Sequence, residues 1–197
     1  MVAIARRALD FYTWGGVFGR ADCRIHATPD GKSIITCGLD STVRFWNRAT
    51  FKEERQFVTG YDGIGSSAIS PDGKWFITGS RPSTQPDPGV ITVWDIGTGK
   101  EKATIKGATR KVTGLAVSPD SKRLIMGGGN SSKLGELKIF DLATGKELAA
   151  HYDHKEWVGC MIFTPDGRWM VSGSGATTGR QGEVRFWDMT SLQAKGE

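Results

Sequence analysis

Ser70-Pro71-Asp72-Gly73-Lys74-Trp75-Phe76-Ile77-Thr78-Gly79-Ser80, followed by Ile91-Thr92-Val93-Trp94-Asp95 and then Thr98-Gly99-Lys100, is the stretch on which the fold turns. Pro-Asp-Gly is a turn signal: Pro presets φ at the first central position, and Asp and Gly tolerate the conformations that follow. Trp75 to Thr78 and Ile91 to Trp94 are short stretches rich in β-branched and aromatic residues, which read as strands. The Thr-Gly-Lys turn leads into a further strand, Lys102-Ala103-Thr104-Ile105.

The same phrase recurs along the chain. Pro-Asp-Gly stands at 29–31 and 165–167 as well as 71–73, and Pro119-Asp120-Ser121 is a close fourth copy. A short alternating stretch precedes the turn, as in Leu115-Ala116-Val117-Ser118 and Cys160-Met161-Ile162-Phe163-Thr164, and another follows it. The third stretch of each copy closes on an aromatic plus Asp or Asn: Trp46-Asn47, Trp94-Asp95, Phe140-Asp141 and Trp187-Asp188, at intervals of 48, 46 and 47 residues. Four short strands per period over four periods make the chain an array, with units at about 7–51, 52–99, 100–145 and 146–197. This is the sign of propeller blades, the period being slightly longer than the ~40–45 residues usual for WD repeats.

These residues resemble the WD-repeat family: the Trp-Asp pairs, the phrase Ser70 to Lys74 and the strand ending Thr78-Gly79-Ser80 are typical of it, and the likeness covers nearly the whole chain. The resemblance implies an all-β fold, a β-propeller of four-stranded antiparallel blades. It also implies a polar chain from a His through a strand Ser or Thr to the Trp, with an Asp in the following turn. The fourth copy carries His154, Ser172 and Trp187 without a clear Asp, and the first carries Thr36, Asp40 and Trp46 without the His. The other two have Gly60-Tyr61 and Gly107-Ala108 in place of the Gly-His, which predicts less rigid second and third blades. His26 looks incidental.

Composition bounds the function. The 197 residues carry 26 Lys and Arg against 21 Asp and Glu, a formal charge of +5, but the basic residues are scattered and only Arg6-Arg7 is dense. Nucleic acid is compatible with that charge and not required by it. Cys23, Cys37 and Cys160 stand outside any CxxC spacing, so three buried thiols in a reducing, cytoplasmic setting is the simplest expectation. No stretch approaches a membrane span. His151 and His154 have a chelating spacing, but no Cys, Asp or Glu cluster completes a metal site. No Gly-rich segment has the form of a phosphate loop or a nucleophile elbow, and Asp30, Asp72, Asp120 and Asp166 read as turn formers. No catalytic residue, metal or cofactor is expected.

The connection between second and third strands is the informative departure. It is short in the first copy, Gly38 to Thr42, and grows to 80–89, 127–135 and 173–182 in the others. Insertions at one register project from one face. Arg81, Lys133 and Arg180 lie in these insertions; Tyr61, Arg110, Lys155 and Trp157 lie in the lead-ins to first strands, which known WD-repeat propellers place on the same face. Together they form the expected partner-binding surface for proteins or peptides, since Arg, Tyr and Trp dominate interface energetics. The alternatives are a structural self-assembling propeller without a specific partner, or a propeller enzyme.

Closure is open at this level. The last blade needs a fourth strand, for which Arg7 to Tyr12 is the candidate. The ends close into a four-bladed ring, two chains exchange strands to form an eight-bladed homodimer, or the chain is a fragment of a larger propeller. The second and third are favoured, because an open arc leaves aggregation-prone edges.

Overall fold

The computed structural model describes residues 24–61, 63–80, 88–108, 111–130, 133–175 and 182–195. Each period supplies four strands that pair with their sequence neighbours into one antiparallel sheet, in the order β1-β2-β3-β4, β5-β6-β7-β8, β9-β10-β11-β12 and β13-β14-β15-β16. The first sheet is β1 (Arg24–Ala27), β2 (Ser33–Cys37), β3 (Thr42–Asn47) and β4 (Glu53–Val58); the second is β5 (Ile64–Ile69), β6 (Trp75–Ser80), β7 (Val90–Asp95) and β8 (Glu101–Lys106). The third is β9 (Val112–Val117), β10 (Arg123–Asn130), β11 (Lys133–Asp141) and β12 (Glu147–His154); the fourth is β13 (Val158–Phe163), β14 (Trp169–Ser174), β15 (Glu183–Asp188) and β16 (Gln193–Lys195). The chain is an array of propeller blades.

The turns explain why the Asp residues recur. Asp30 Oδ1 accepts hydrogen bonds from Thr28 Oγ1 (2.7 Å) and the Lys32 amide (3.0 Å), and Asp72, Asp120 and Asp166 repeat the arrangement. The Asp of each Trp-Asp pair acts likewise one turn later. Asp95 Oδ1 accepts from the Thr98 amide (2.7 Å) and hydroxyl (2.8 Å), and Asp141 from those of Thr144. Acids placed by the repeat are therefore spent on holding turns.

Sheets meet face to face through one repeated contact, with the innermost strands β1, β5, β9 and β13 packed in succession. Ile35, Val43 and Phe45 of the first sheet close on Phe76 and Trp94 of the second. Ile77, Ile91 and Val93 close on Leu124 and Phe140, and Ile125, Leu137 and Ile139 on Met170 and Trp187. These are the same register positions three times, so each sheet has one face for its predecessor and one for its successor.

Two expectations are corrected. The fourth position of the last sheet is filled by β16, with Trp187 opposite Ala194 and Asp188 opposite Gln193, and not by Arg7 to Tyr12, which lie outside the described residues. The chain can reverse there because the Asp188 carboxylate accepts from the Thr190 amide and Leu192 adopts φ 56°. The glycine-rich connection of the third copy is strand and not loop, since Gly127 pairs with Leu137 and Gly128 with Glu136, and the ladder runs on to Asn130 and Lys133. Its glycines answer to close packing: a Cβ on Gly127 would stand 2.6 Å from the Val158 carbonyl oxygen, in the neighbouring sheet.

Candidate functional site

The connections between second and third strands and the lead-ins to first strands share one end of the sheets and, in the first and fourth copies, are bonded to one another. Ser41 Oγ, at the tight first connection, donates to the Tyr61 carbonyl (2.6 Å) and accepts from the Gly63 amide (2.9 Å). The Gly175 amide donates to the Trp157 carbonyl (3.1 Å), and the Lys155 amide to Glu183 Oε2 (3.1 Å). The Pro-Asp-Gly and Asp-x-Thr turns occupy the opposite end, tied by bonds such as Ile96 amide to Lys74 carbonyl and Leu142 amide to Lys122 carbonyl.

Of the seven surface residues named from sequence, Tyr61, Lys155 and Trp157 stand at this end. Tyr61 is half-buried, Lys155 is exposed, and Lys155 Nζ reaches Glu183 Oε1 at 3.1 Å. Trp157 is not the exposed aromatic that its sequence position suggests. It is half-buried, its indole lying against Gly159 and Gly175, where a Cβ would collide with the ring. Arg81, Arg110 and Arg180 lie outside the described residues. Lys133 opens β11, and its side chain is not among those described.

Beneath this end lies a buried polar chain. Trp187 Nε1 donates to Ser172 Oγ at 2.7 Å, and that oxygen is 2.6 Å from His154 Nε2. Ser172 Oγ thus accepts the indole proton and shares a second hydrogen bond with His154 Nε2, while His154 Nδ1 faces Glu183 Oε2 at 3.7 Å. His154 is 1% exposed, and burial followed by the nearby Arg185 charge lowers its pKa below the usual histidine value. Burial would raise the Glu183 carboxyl, but the Lys155 amide bond and the Lys155 and Arg185 charges outweigh it, and its pKa is lowered. Glu183 thus takes the acidic place facing the His that sequence reading left empty. It lies on β15 itself, not in the turn, so the search for a turn Asp passed over it.

The other copies keep part of the chain. Trp46 Nε1 donates to Thr36 Oγ1 and Trp94 Nε1 to Thr78 Oγ1, both at 2.9 Å. In the third sheet Met126 and Phe140 occupy these places, an apolar pair that leaves no donor unmatched. His26 also has a partner: its Nε2 is 2.8 Å from Ser67 Oγ across the first junction, and its ring meets Phe76 edge-on at 5.7 Å. An ion cluster around the buried Lys138 was not foreseen either. Lys138 Nζ donates to the Gly107 carbonyl (2.7 Å) and Glu147 Oε2 (3.0 Å), with Glu136 Oε1 at 3.5 Å. His151 packs on Trp187, ring centroids 4.8 Å apart, and no group of three metal-ligating side chains is gathered among the described residues.

The family model described as "WD domain, G-beta repeat" matches four times, over residues 22–47, 52–95, 99–141 and 145–188. The chain belongs to the WD-repeat family. Proteins of this family act generally as protein-interaction scaffolds and are typically non-enzymatic. The chain is similar to a WD repeat-containing protein 26 homolog of Arabidopsis thaliana, 32% identical over 103 residues, covering 50% of this chain and 16% of that protein. It is similar to a WD repeat-containing protein 55 homolog of Drosophila willistoni, 28% identical over 105 residues, covering 53% of this chain and 19% of that one. It therefore spans less than a fifth of either relative. Among solved structures, a chain of "Kuenenia stuttgartiensis Hydrazine Synthase" superposes with a TM-score of 0.75 at 20% identity, over 91% of this WD-repeat chain and 50% of that chain. "Structure of U3-55K" gives 0.71 at 18% identity, over 88% and 54%. These likenesses show the fold. No helix among the described residues is long and apolar enough to cross a membrane.

Proposed function

We propose that the chain is a non-catalytic scaffold that binds other proteins or peptides on the end of the propeller bearing the lengthened connections. The observation that carries this reading is the bonded rim: second-to-third connections and lead-ins to first strands hold one another in place. Lys155 stands exposed on that rim, and the insertions at 81–89 and 175–182 are assigned to it by their register in the sequence. A fixed base suits recognition, because interface affinity depends on a few anchors presented with little ordering cost. Arg81, Arg110, Lys133 and Arg180 are the proposed cationic contacts. Cysteine positions outside any CxxC spacing support a reducing, cytoplasmic setting.

The test replaces residues 81–89 and 175–182 by the short first-copy connection Gly38 to Thr42. Affinity capture with quantitative mass spectrometry, alongside circular dichroism, reads the result. Loss of a reproducible partner set with the β spectrum intact is expected; an unchanged partner set removes the rim from consideration.

A further inference from the structure

The third sheet carries a strand pair that outruns the others. β10 has eight residues and β11 nine, where the second and third strands of the other sheets have five or six. Arg123 stands opposite Asp141 at the turn end, as Trp75 stands opposite Asp95 in the second sheet, so the extra residues lie at the rim. Two to three further residues carry the pair about 7–10 Å beyond the described ends of the other second and third strands. Leu134 stands in this raised part and is 55% exposed. A single exposed Leu is ordinary on a protein surface; what surrounds this one is not.

Its place is fixed between two lead-ins. On the facing strand, a Cβ on Gly129 would stand 3.1 Å from the Leu134 carbonyl oxygen and 3.3 Å from the Trp157 Cα, so the lead-in to the fourth sheet runs beside it. Just below, Gly128 pairs with Glu136, and a Cβ on Gly128 would stand 3.2 Å from the Lys111 carbonyl oxygen, in the lead-in to the third sheet. Leu134 thus tops a hydrogen-bonded strand pair, with Lys111 on one adjoining segment and Lys155 on the other.

Charge in this sector is sorted by depth. Glu136 and Glu156 are 1% and 3% exposed, and Glu183 is engaged by Lys155 and Arg185. Asp153, on the outer strand, faces His151 Nδ1 at 3.7 Å. The cations are turned outward: Lys106 and Lys155 are exposed, and Lys111 is half-buried. Among the described residues no carboxylate pairs with Lys106 or Lys111. From Lys102 to Pro119 the sequence has Lys102, Lys106, Arg110 and Lys111 and no acid.

We infer that Leu134 is the apolar anchor of a docking site for an acidic peptide segment of a partner protein. An aliphatic or aromatic side chain of that segment rests on Leu134, and flanking Asp or Glu carboxylates meet Lys106 and Lys111. This rests on the scaffold reading above and gives it a centre and a partner chemistry. An anchor borne on paired strands is presented at little ordering cost, and complementary charge around it sets orientation and speeds encounter. The aliphatic centre favours a peptide over a nucleic-acid strand, which needs aromatic platforms for its bases as well as cations. Trp157, the neighbouring aromatic, has its ring turned onto Gly159 and Gly175.

The test pans a randomised peptide library, displayed on phage, against the full chain; enriched peptides are synthesised with a fluorescein label and titrated by anisotropy. They are expected to carry net negative charge around a Leu, Ile, Met or Phe, and to bind more weakly as salt rises. Leu134→Ser is expected to weaken the best peptide at least about tenfold. Lys106→Glu combined with Lys111→Glu should weaken it by as much or more, and Leu134→Met should retain it. None of these three residues is buried, and an unchanged melting curve checks the fold. Enriched peptides without an acidic excess, or an affinity indifferent to Leu134→Ser, overturn the inference. Peptides released only by replacing residues 81–89 and 175–182 leave the scaffold reading standing and remove this site. A library that yields no binder removes the peptide site and leaves the scaffold reading to the capture experiment above. Tighter binding of a fluorescein-labelled oligothymidine strand, lost in the lysine variant, overturns the peptide as occupant.

Discussion

Single residues decide how closely the sheets approach. Gly127 has an ordinary strand partner, yet its missing Cβ is what admits the Val158 carbonyl of the neighbouring sheet. Gly127→Ala is therefore expected to destabilise the protein by about 1–3 kcal/mol through a forced backbone shift, seen as a lower urea midpoint with unchanged slope. Two histidines set the acid limit. His26 has its pKa lowered by burial and then by Arg24, and His154 by burial and then by Arg185. The unfolded chain therefore takes up protons near the usual histidine value of about 6.5 while the folded chain resists. Stability should be full above that pH and fall as the pH drops toward the depressed folded values. The turn acids add a second decline lower down: Asp30 and Asp166 are lowered chiefly by Thr28 and Thr164 hydroxyl bonds, so their contribution is present above about pH 4 and lost below it. Chemical denaturation from pH 8 to 3 should show two steps. Replacing His26 and His154 by Gln should flatten the upper one.

Within a sheet, the unit of design is the pair formed by the closing aromatic and its cross-strand partner. The second sheet solves this position with Thr78 and Trp94, the third with Met126 and Phe140. Thr78→Val alone should cost about 1–3 kcal/mol, because the indole N–H is left buried without an acceptor. Adding Trp94→Phe should recover part of that loss, and a double-mutant cycle in thermal unfolding reads the coupling. The strands, turns and repeat were legible in the sequence because each copy restates them, and a turn Asp with a neighbouring Thr or Ser is a local signal. What was not legible came from between copies. Glycines at 127–129 carry the composition of a loop, and only the pressure of the adjoining sheet makes them strand. Glu183 faces His154 from a strand position that no turn motif marks. His26 finds Ser67 across a junction, 41 residues away in sequence. Trp157 is aromatic in a lead-in, which reads as exposed until Gly159 and Gly175 are seen beneath it.

At the scale of the whole molecule, the three internal junctions give the arc a direction: every sheet offers one kind of face forward and another back. The rim runs along the ends of the sheets and these faces lie between them, so junction stability and partner capture should be separable. Thr78→Val is expected to lower the melting temperature while the partner set captured by the rim stays unchanged.

The contiguity of each sheet in sequence has a consequence for synthesis. Every described sheet is completed by its own stretch of chain, but Ile35, Val43 and Phe45 are sheltered only once Phe76 and Trp94 have followed. At translation rates of about 5–20 residues per second, a period takes roughly 2–10 s to emerge. A nascent chain on the ribosome thus carries an apolar face that advances sheet by sheet, always of the kind that Val184 and Phe186 display, and chaperones shield that moving surface.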